Sequence, residues 1–558
     1  MITKIKKDFR LLGCDKDALL KGFFGGNALT AIVILGLITV FLFKEGIEFF
    51  GQNREGLDRY RRSGMEYAAI VTDQHDAQTL LYRYLETILS KETEEADRRI
   101  DEGELAADER ASTLGPLQEY ARSFQDAKES LLDYEKEVVK LARETKLFLT
   151  TRDVVSELRK VADGAGLPDD GSFSITGEEI TERRSFAYVE LERWRNYFIR
   201  HQREELSRKI DTAPASDFSE DKKAVFDHAG AIRKTFNEHY LVVVSEQETA
   251  FRKLIEGYSG SFLLKESGGE FRTFHKAVEE YLSKTEAYKK RLEDWDPEIP
   301  FPLSRALTSF VFGKDWVTNS ARQDWYGILP LFTGSLLVTL IALSLAIPFG
   351  VGAAIYANQV ANFREQSVIK PFIEFVSAIP SVVIGFFGIA VLGEFVGDFS
   401  DERLNSLTAG ALLALMAVPT IFTLAEDALN NVPAAFREAS LSLGATRLQT
   451  AARVIVPGAL TGIVSAVLLG MGRVIGETMV VLLCAGNRIA IPDFTSGLGV
   501  FTQPVHTMTG IIAQEMGEVE FESIHYRALF MVGIVLFLTS LLINFLSQRI
   551  AGKYKDGY

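Results

Sequence analysis

Cysteine is nearly absent, with two in 558 residues. Cys14 precedes the first apolar run and Cys484 lies inside a later one, so no disulfide framework staples this chain. A Gly-x4-Gly-Lys-Ser/Thr phosphate loop is also missing, which argues against ATP binding by this chain itself. No Cys/His spacing suits a metal, and no nucleophile motif occurs, so neither a metal site nor a catalytic residue is expected. His75, His201, His228, His239 and His275 are scattered singly and read as surface residues. There is no basic surplus either: 61 Lys and Arg stand against 75 Asp and Glu, net −14, which argues against nucleic acid as a partner.

Long apolar runs are absent from residues 51–300, which hold 39 Lys and Arg against 52 Asp and Glu. That polar, acidic block carries nearly all of the net charge and reads as a folded domain built into a membrane protein. Outside it, six segments meet the requirement of about 20 apolar residues for a span: 24–43, 328–356, 372–396, 406–424, 458–486 and 528–547. The first follows a basic stretch, as a signal peptide would. However, its apolar run exceeds the usual length of about 7–15 residues and no small-residue cleavage site follows, so it reads as an uncleaved span.

Basic residues in short loops mark the cytoplasmic side. Lys4, Lys6, Lys7, Arg10, Lys16 and Lys21 at the N-terminus agree with Arg364, Lys370, Arg437, Arg447 and Arg453 in two loops, and with Arg549, Lys553 and Lys555 in the tail. The opposite loops hold Asp398, Asp401, Glu402, Glu515, Glu518, Glu520 and Glu522. The expected organisation is a cytoplasmic N-terminus and first span (1–43), an extracytoplasmic insertion (44–326), a membrane core (327–548) and a cytoplasmic tail (549–558). The insertion reads as a helical bundle. "DAQTLLYRYLETILSKETEEADRRIDEGELAADER" has helical spacing and dense charges of both signs. A second run, "SFAYVELERWRNYFIRHQREELSRKI", lies between breaks at "DGAGLPDDGSFSITG" and "DTAPASDFSED", and helical pattern resumes over 222–294.

The loop "NNVPAAFREASLSLGATRLQTAARVIVPGAL" (430–460) is dense in helix signals. Asn431 is placed to cap a helix with Pro433 in its first turn, Gly444 suits a left-handed end, and Thr446 with Gln449 forms a capping box. Pro457 punctuates before the fifth span. A rigid helix–turn–helix is predicted.

Further on, "GMGRVIGETMVVLLCAG" (470–486) sets Arg473 and Glu477 four residues apart in apolar surroundings. An Arg at a bilayer centre costs about 2.5–3.5 kcal/mol. On one helix the two side chains share a face and can touch. One reading is an ion pair that locks helices together; the other is a pair of functional groups in a transport path. Gly470, Gly472 and Gly476 are expected to let a helix or ligand approach closely. Pro348, Pro380 and Pro419 are expected to kink spans.

Glu438-Ala439-Ser440, then Gly444, then Val454-x-Val456-Pro457 resembles the "EAA" loop of ABC-importer permeases, with Ser440 where Ala is usual. "IKPFIEFVSAIPSVVIGFFG" (369–388) and above all the 470–486 stretch are similar to the phosphate-specific permeases, closer to the PstC than the PstA type. The resemblance covers the first span and about 326–547, not the insertion. It implies an all-α type I permease fold with six transmembrane helices in the inner membrane. It also implies that Glu438, Ala439, Ser440, Gly444 and Pro457 couple to a separate ATPase. Partners follow from it: an ATP-binding subunit (PstB type), a second permease (PstA type), a phosphate-binding protein (PstS type) and membrane lipid, with ATP held by the partner. Arg473 would meet phosphate, since a guanidinium is a fixed fork of donors, and Glu477 would neutralise it when the path is empty. A permease for another oxyanion, phosphonate or sulfate, and a membrane sensor using the outer domain are the alternatives.

Overall fold

Continuous apolar runs that alternate with capped loops give helices almost everywhere. In a computed structural model, the structure describes residues 16–106, 108–164, 228–258, 260–318, 320, 322–398 and 400–553. The basic residues before Lys16, the run 185–210, nearly all of its flanking breaks, and Lys555 lie outside the described residues. Two compact units emerge.

The first unit comprises residues 1–54, 302–319 and 324–558. Its helices begin with α1 (Lys16–Arg62), in which the unit boundary falls. After α7 (Leu303–Val311) and a small antiparallel pair, β1 (Trp316–Val317) with β2 (Trp325–Tyr326), comes α8 (Leu329–Ile355). Then follow α9 (Phe363–Ala378), α10 (Ser381–Phe387), α11 (Gly393–Gly397) and α12 (Ser406–Asn430). The loop helices α13 (Ala434–Ser442) and α14 (Arg447–Thr450) lead to α15 (Val456–Ile475) and α16 (Met479–Cys484). The chain ends through α17 (Met508–Glu515) and α18 (Ile524–Lys553).

Among the described residues five stretches are long and apolar enough to cross a membrane: 24–62, 329–360, 406–430, 447–475 and 524–550, and a bent pair makes a sixth if it is one span. The expected continuous span 372–396 is broken, because α9 and the helix after it turn by 91° at Ile379 and Pro380. Proline has no N–H to donate and pushes the residue before it out of the helical region, and Ile379 is extended at φ −70, ψ 125. Pro348 and Pro419 lie inside α8 and α12. Leu337, Ile341, Leu413, Ile421, Val474 and Val481 share the core of α8, α12, α15 and α16. Residues 44–54 and 302–319 join this unit, although they fall in the stretch read as insertion; Phe49 stacks edge-on with Phe310 and Tyr326.

The second unit, residues 55–301 with 320–323, is built of helices joined by short turns over its described length. It holds α2 (Met65–Asp101), α3 (Arg110–Gly164), α4 (His228–Thr235), α5 (Leu241–Gly257) and α6 (Lys265–Glu293). The charged run 76–110 is not one helix. Gly103 turns left-handed at φ +75 and ends α2, with Glu104 N–H closing on the Arg99 carbonyl at 2.8 Å. The run 222–294 is likewise divided before α6, where Glu92 of α2 accepts the N–H groups of Leu263 and Leu264 at 2.7 and 3.0 Å. Phe124, Phe251, Phe271 and Phe274 fill the core. Beside them runs a buried polar ladder: Gln74 and Gln78 each donate to the Tyr281 hydroxyl, and Gln78 also donates to Gln247. His75 is not a surface residue, since it pairs with Glu135 at 2.8 Å and is largely covered.

Candidate functional site

The loop after α12 is rigid for the reasons its residues suggest, with one exception. Asn431 does not cap α13; it is the last residue of α12's terminus, and Pro433 occupies the position before α13 with no side-chain cap. Two prolyl-free carbonyl bonds end α13: Gly444 N–H reaches Leu441 at 3.0 Å and Ala445 N–H reaches Ser440 at 3.2 Å. That double closure needs a left-handed residue, and Gly444 has φ +84. Thr446 and Gln449 then form the capping box on α14, with the two reciprocal bonds at 3.3 and 2.9 Å. Ser440 is tied to Thr450 at 2.9 Å. Pro457 sits in the first turn of α15, where its missing N–H costs nothing.

No residue of α13 is buried. Glu438 and Ala439 are exposed, as are the apolar Phe436, Leu441, Leu443 and Leu448. The helix thus presents most of its surface, with its C-terminal end fixed by the Gly444 turn. A cavity of about 770 Å³ adjoins it between α12 and α15, from Pro433 and Phe436 at the loop to Leu424 and Leu469.

One helical turn beyond Leu424 and Leu469 stand Thr420 and Arg473. The Arg473 guanidinium donates through Nη1 to Thr420 Oγ1 at 2.6 Å. Glu477 does not share a helix with Arg473: α15 ends at Ile475, and Glu477 lies in the break before α16. Its Oε1 accepts the Met479 N–H at 3.2 Å, and its carbonyl accepts from Thr509 Oγ1 at 2.8 Å. The expected contact between the two charges is therefore absent, because the helix that would align them stops at Gly476. Arg473 is exposed and has no anionic partner among the described residues.

Of the three glycines, Gly470 is the one in close approach: a Cβ there would stand 2.7 Å from Ile421 of α12. Gly472 has only ordinary contact and Gly476 ends the helix. The sequence gives Thr420 no signal beyond its place after Pro419 in a mostly apolar span. Among the described residues no group of three or more His, Cys, Asp or Glu could hold a metal.

Membrane-length helices, a broken crossing, an open capped loop and a cation on an exposed face between two helices define a membrane transport subunit. The family model for the binding-protein-dependent transport system inner membrane component matches residues 346–555. A probable ABC transporter permease, YqgH of Bacillus subtilis, is 38% identical over 249 residues, 43% of this chain and 77% of that protein. The phosphate transport system permease protein PstC of Pasteurella multocida is 30% identical over 275 residues, 46% of this chain and 81% of that protein. PstC of Haemophilus influenzae is 30% identical over 275 residues, 46% of this chain and 84% of its own length. The chain belongs to this family of ABC-importer permeases and is of the PstC type. It is a multi-pass inner membrane subunit, not itself catalytic, and the family implies a separate ATPase and a second permease.

Proposed function

We propose that this chain is the permease of an inorganic phosphate importer, with Arg473 in the path. The observation that carries the reading is the exposed Arg473 guanidinium, held by a hydroxyl and with no carboxylate partner among the described residues. A cation kept in apolar surroundings without an anion is set to take one from outside. Its planar fork suits a tetrahedral oxyanion and stays charged at any relevant pH. Glu477, four residues on but turned to the α16 backbone, makes no contact with Arg473 and leaves it free to meet an anion. The PstC relatives, named as phosphate transport proteins, support phosphate.

In this reading Glu438, Ala439, Ser440, Gly444 and Pro457 form the surface that docks an ATPase of PstB type. A second permease of PstA type completes the path, and a binding protein of PstS type delivers phosphate. The termini then lie in the cytoplasm and residues 44–326 outside, as the loop charges favour. The test is uptake by the assembled transporter carrying Arg473→Gln, which should stop, and Arg473→Lys, which should restore it only in part. Uptake of sulfate is measured beside phosphate, because the Bacillus relative's name gives no substrate. Normal phosphate uptake by Arg473→Gln overturns the reading.

A further inference from the structure

We infer that Thr420 is a second substrate-positioning group, which with Arg473 makes one mixed donor set for an oxyanion. The inference rests on Arg473 as a path residue and goes beyond it in assigning a partner on another helix.

Thr420 lies on α12 directly after Pro419, and Arg473 lies in the last turn of α15. Their bond, at 2.6 Å, spans the two helices that flank the 770 Å³ cavity. Only an oxygen lone pair of Thr420 is used in it, because a guanidinium has nothing but N–H to offer. The hydroxyl proton remains. A helical threonine usually spends that proton on a carbonyl one turn back, as Thr423 does on Pro419 at 3.0 Å and Thr339 does on Ser335 at 2.7 Å. Among the described residues no acceptor takes the Thr420 proton, and no other acceptor takes the remaining Arg473 N–H groups. Both residues are at least partly exposed.

The consequence is geometric. Thr420 fixes one arm of the guanidinium, so the opposite edge is not free to swing, and a flexible side chain becomes a positioned donor. The Thr420 hydroxyl, next to the arm it holds, keeps its proton as an uncharged donor. An oxyanion with several acceptor oxygens can receive both. Being uncharged, the second donor adds a bond without adding the electrostatic grip that would hold a travelling anion too long.

The experiment uses the complete transporter, assembled with its ATPase, second permease and binding protein, and reads uptake of inorganic phosphate. Thr420→Val keeps shape but removes both lone pair and proton, and uptake should fall about tenfold or more, the scale for a bond to a charged group. Thr420→Ser should restore it. If Thr420→Val fails to assemble, as judged by recovery of the ATPase subunit, Thr420→Ala is read instead. Full uptake by the Val or Ala variant while Arg473→Gln is inactive overturns Thr420 and leaves Arg473 standing. A loss that Ser does not restore overturns it too. Full uptake by Arg473→Gln overturns both.

Discussion

Gly334 of α8 is where one added carbon should do most harm. A Cβ there would stand 2.2 Å from the His506 carbonyl oxygen and 3.3 Å from Val505. The clash is with backbone, so no rotamer relieves it, and α8 must move by about 1 Å from the segment before α17 to reach ordinary contact. The next residue, Ser335, accepts the buried Met508 N–H at 2.9 Å, and that bond stretches with the displacement. Overpacking costs about 1–3 kcal/mol and an unsatisfied buried N–H about 1–3 more, so Gly334→Ala should lose about 2–6 kcal/mol. Gly352, on the same helix, has nothing within 4 Å of its added Cβ. Gly352→Ala should therefore stabilise by about 0.5–1 kcal/mol through helix propensity alone. Thermal unfolding of the purified chain in detergent, followed by size-exclusion recovery, compares the two. Phosphate uptake should fall with Gly334→Ala as well, since α17 carries the Thr509 that holds Glu477. Equal melting of the two variants would refute the reasoning.

At Gly444, whose added Cβ meets nothing, only backbone strain acts, so ATPase recovery in pull-downs should rank Gly, then Asn, then Ala, then Val, with Ala costing about 1–2 kcal/mol. Glu438→Lys should abolish uptake and lower ATPase recovery while leaving the chain in the membrane. His506 accepts the Thr507 N–H at Nδ1, so its Nε2 carries the proton that faces Gln514, and burial holds its pKa below the usual 6.5. The buried ring must stay neutral, so the unfolded chain binds more protons; stability should hold above about pH 6.5 and fall as pH drops below it, read by melting at a series of pH values. A double-mutant cycle of Arg473→Gln and Glu477→Gln on stability should show coupling within about 0.5 kcal/mol, whereas a buried ion pair would show several.

Much of this was legible from residue types with fixed backbone consequences. Gly444, Thr446 and Gln449 act as their side chains dictate, because caps and left-handed turns depend on neighbours within a few residues. The family followed from the 438–457 spacing and the 470–486 stretch for the same reason. What failed was continuity. Residues 372–396 and 458–486 are each apolar enough on average to read as one span, and mean hydropathy cannot distinguish one helix from two; Pro380 announces the first break, but Gly476 alone does not announce the second. Asn431 was assigned to the wrong helix because Asn at a boundary serves the end of α12 as readily as the start of α13. Thr420 was invisible, since its role depends on a residue 53 positions away across the α12–α15 contact.

The break at Gly476 also explains how two charges persist in so apolar a stretch without touching. Arg473 stands in the last turn of α15, where unpaired carbonyls gather negative potential. Glu477 stands at the start of α16 and accepts an N–H that has no helical partner. Each charge is offset by the end of a helix, an effect of about 0.3–1 kcal/mol and up to ~2 kcal/mol in covered sites. An Arg at a bilayer centre costs about 2.5–3.5 kcal/mol, but Arg473 lies at the end of the apolar stretch 447–475, where the cost is smaller and a helix end offsets a large part of it. The Thr420 bond contributes to the remainder. An ion pair would have gone further and left the guanidinium occupied. Helix ends and a hydroxyl lower the cost of the charge while leaving its other donors free, the two properties the proposed anion path would require together.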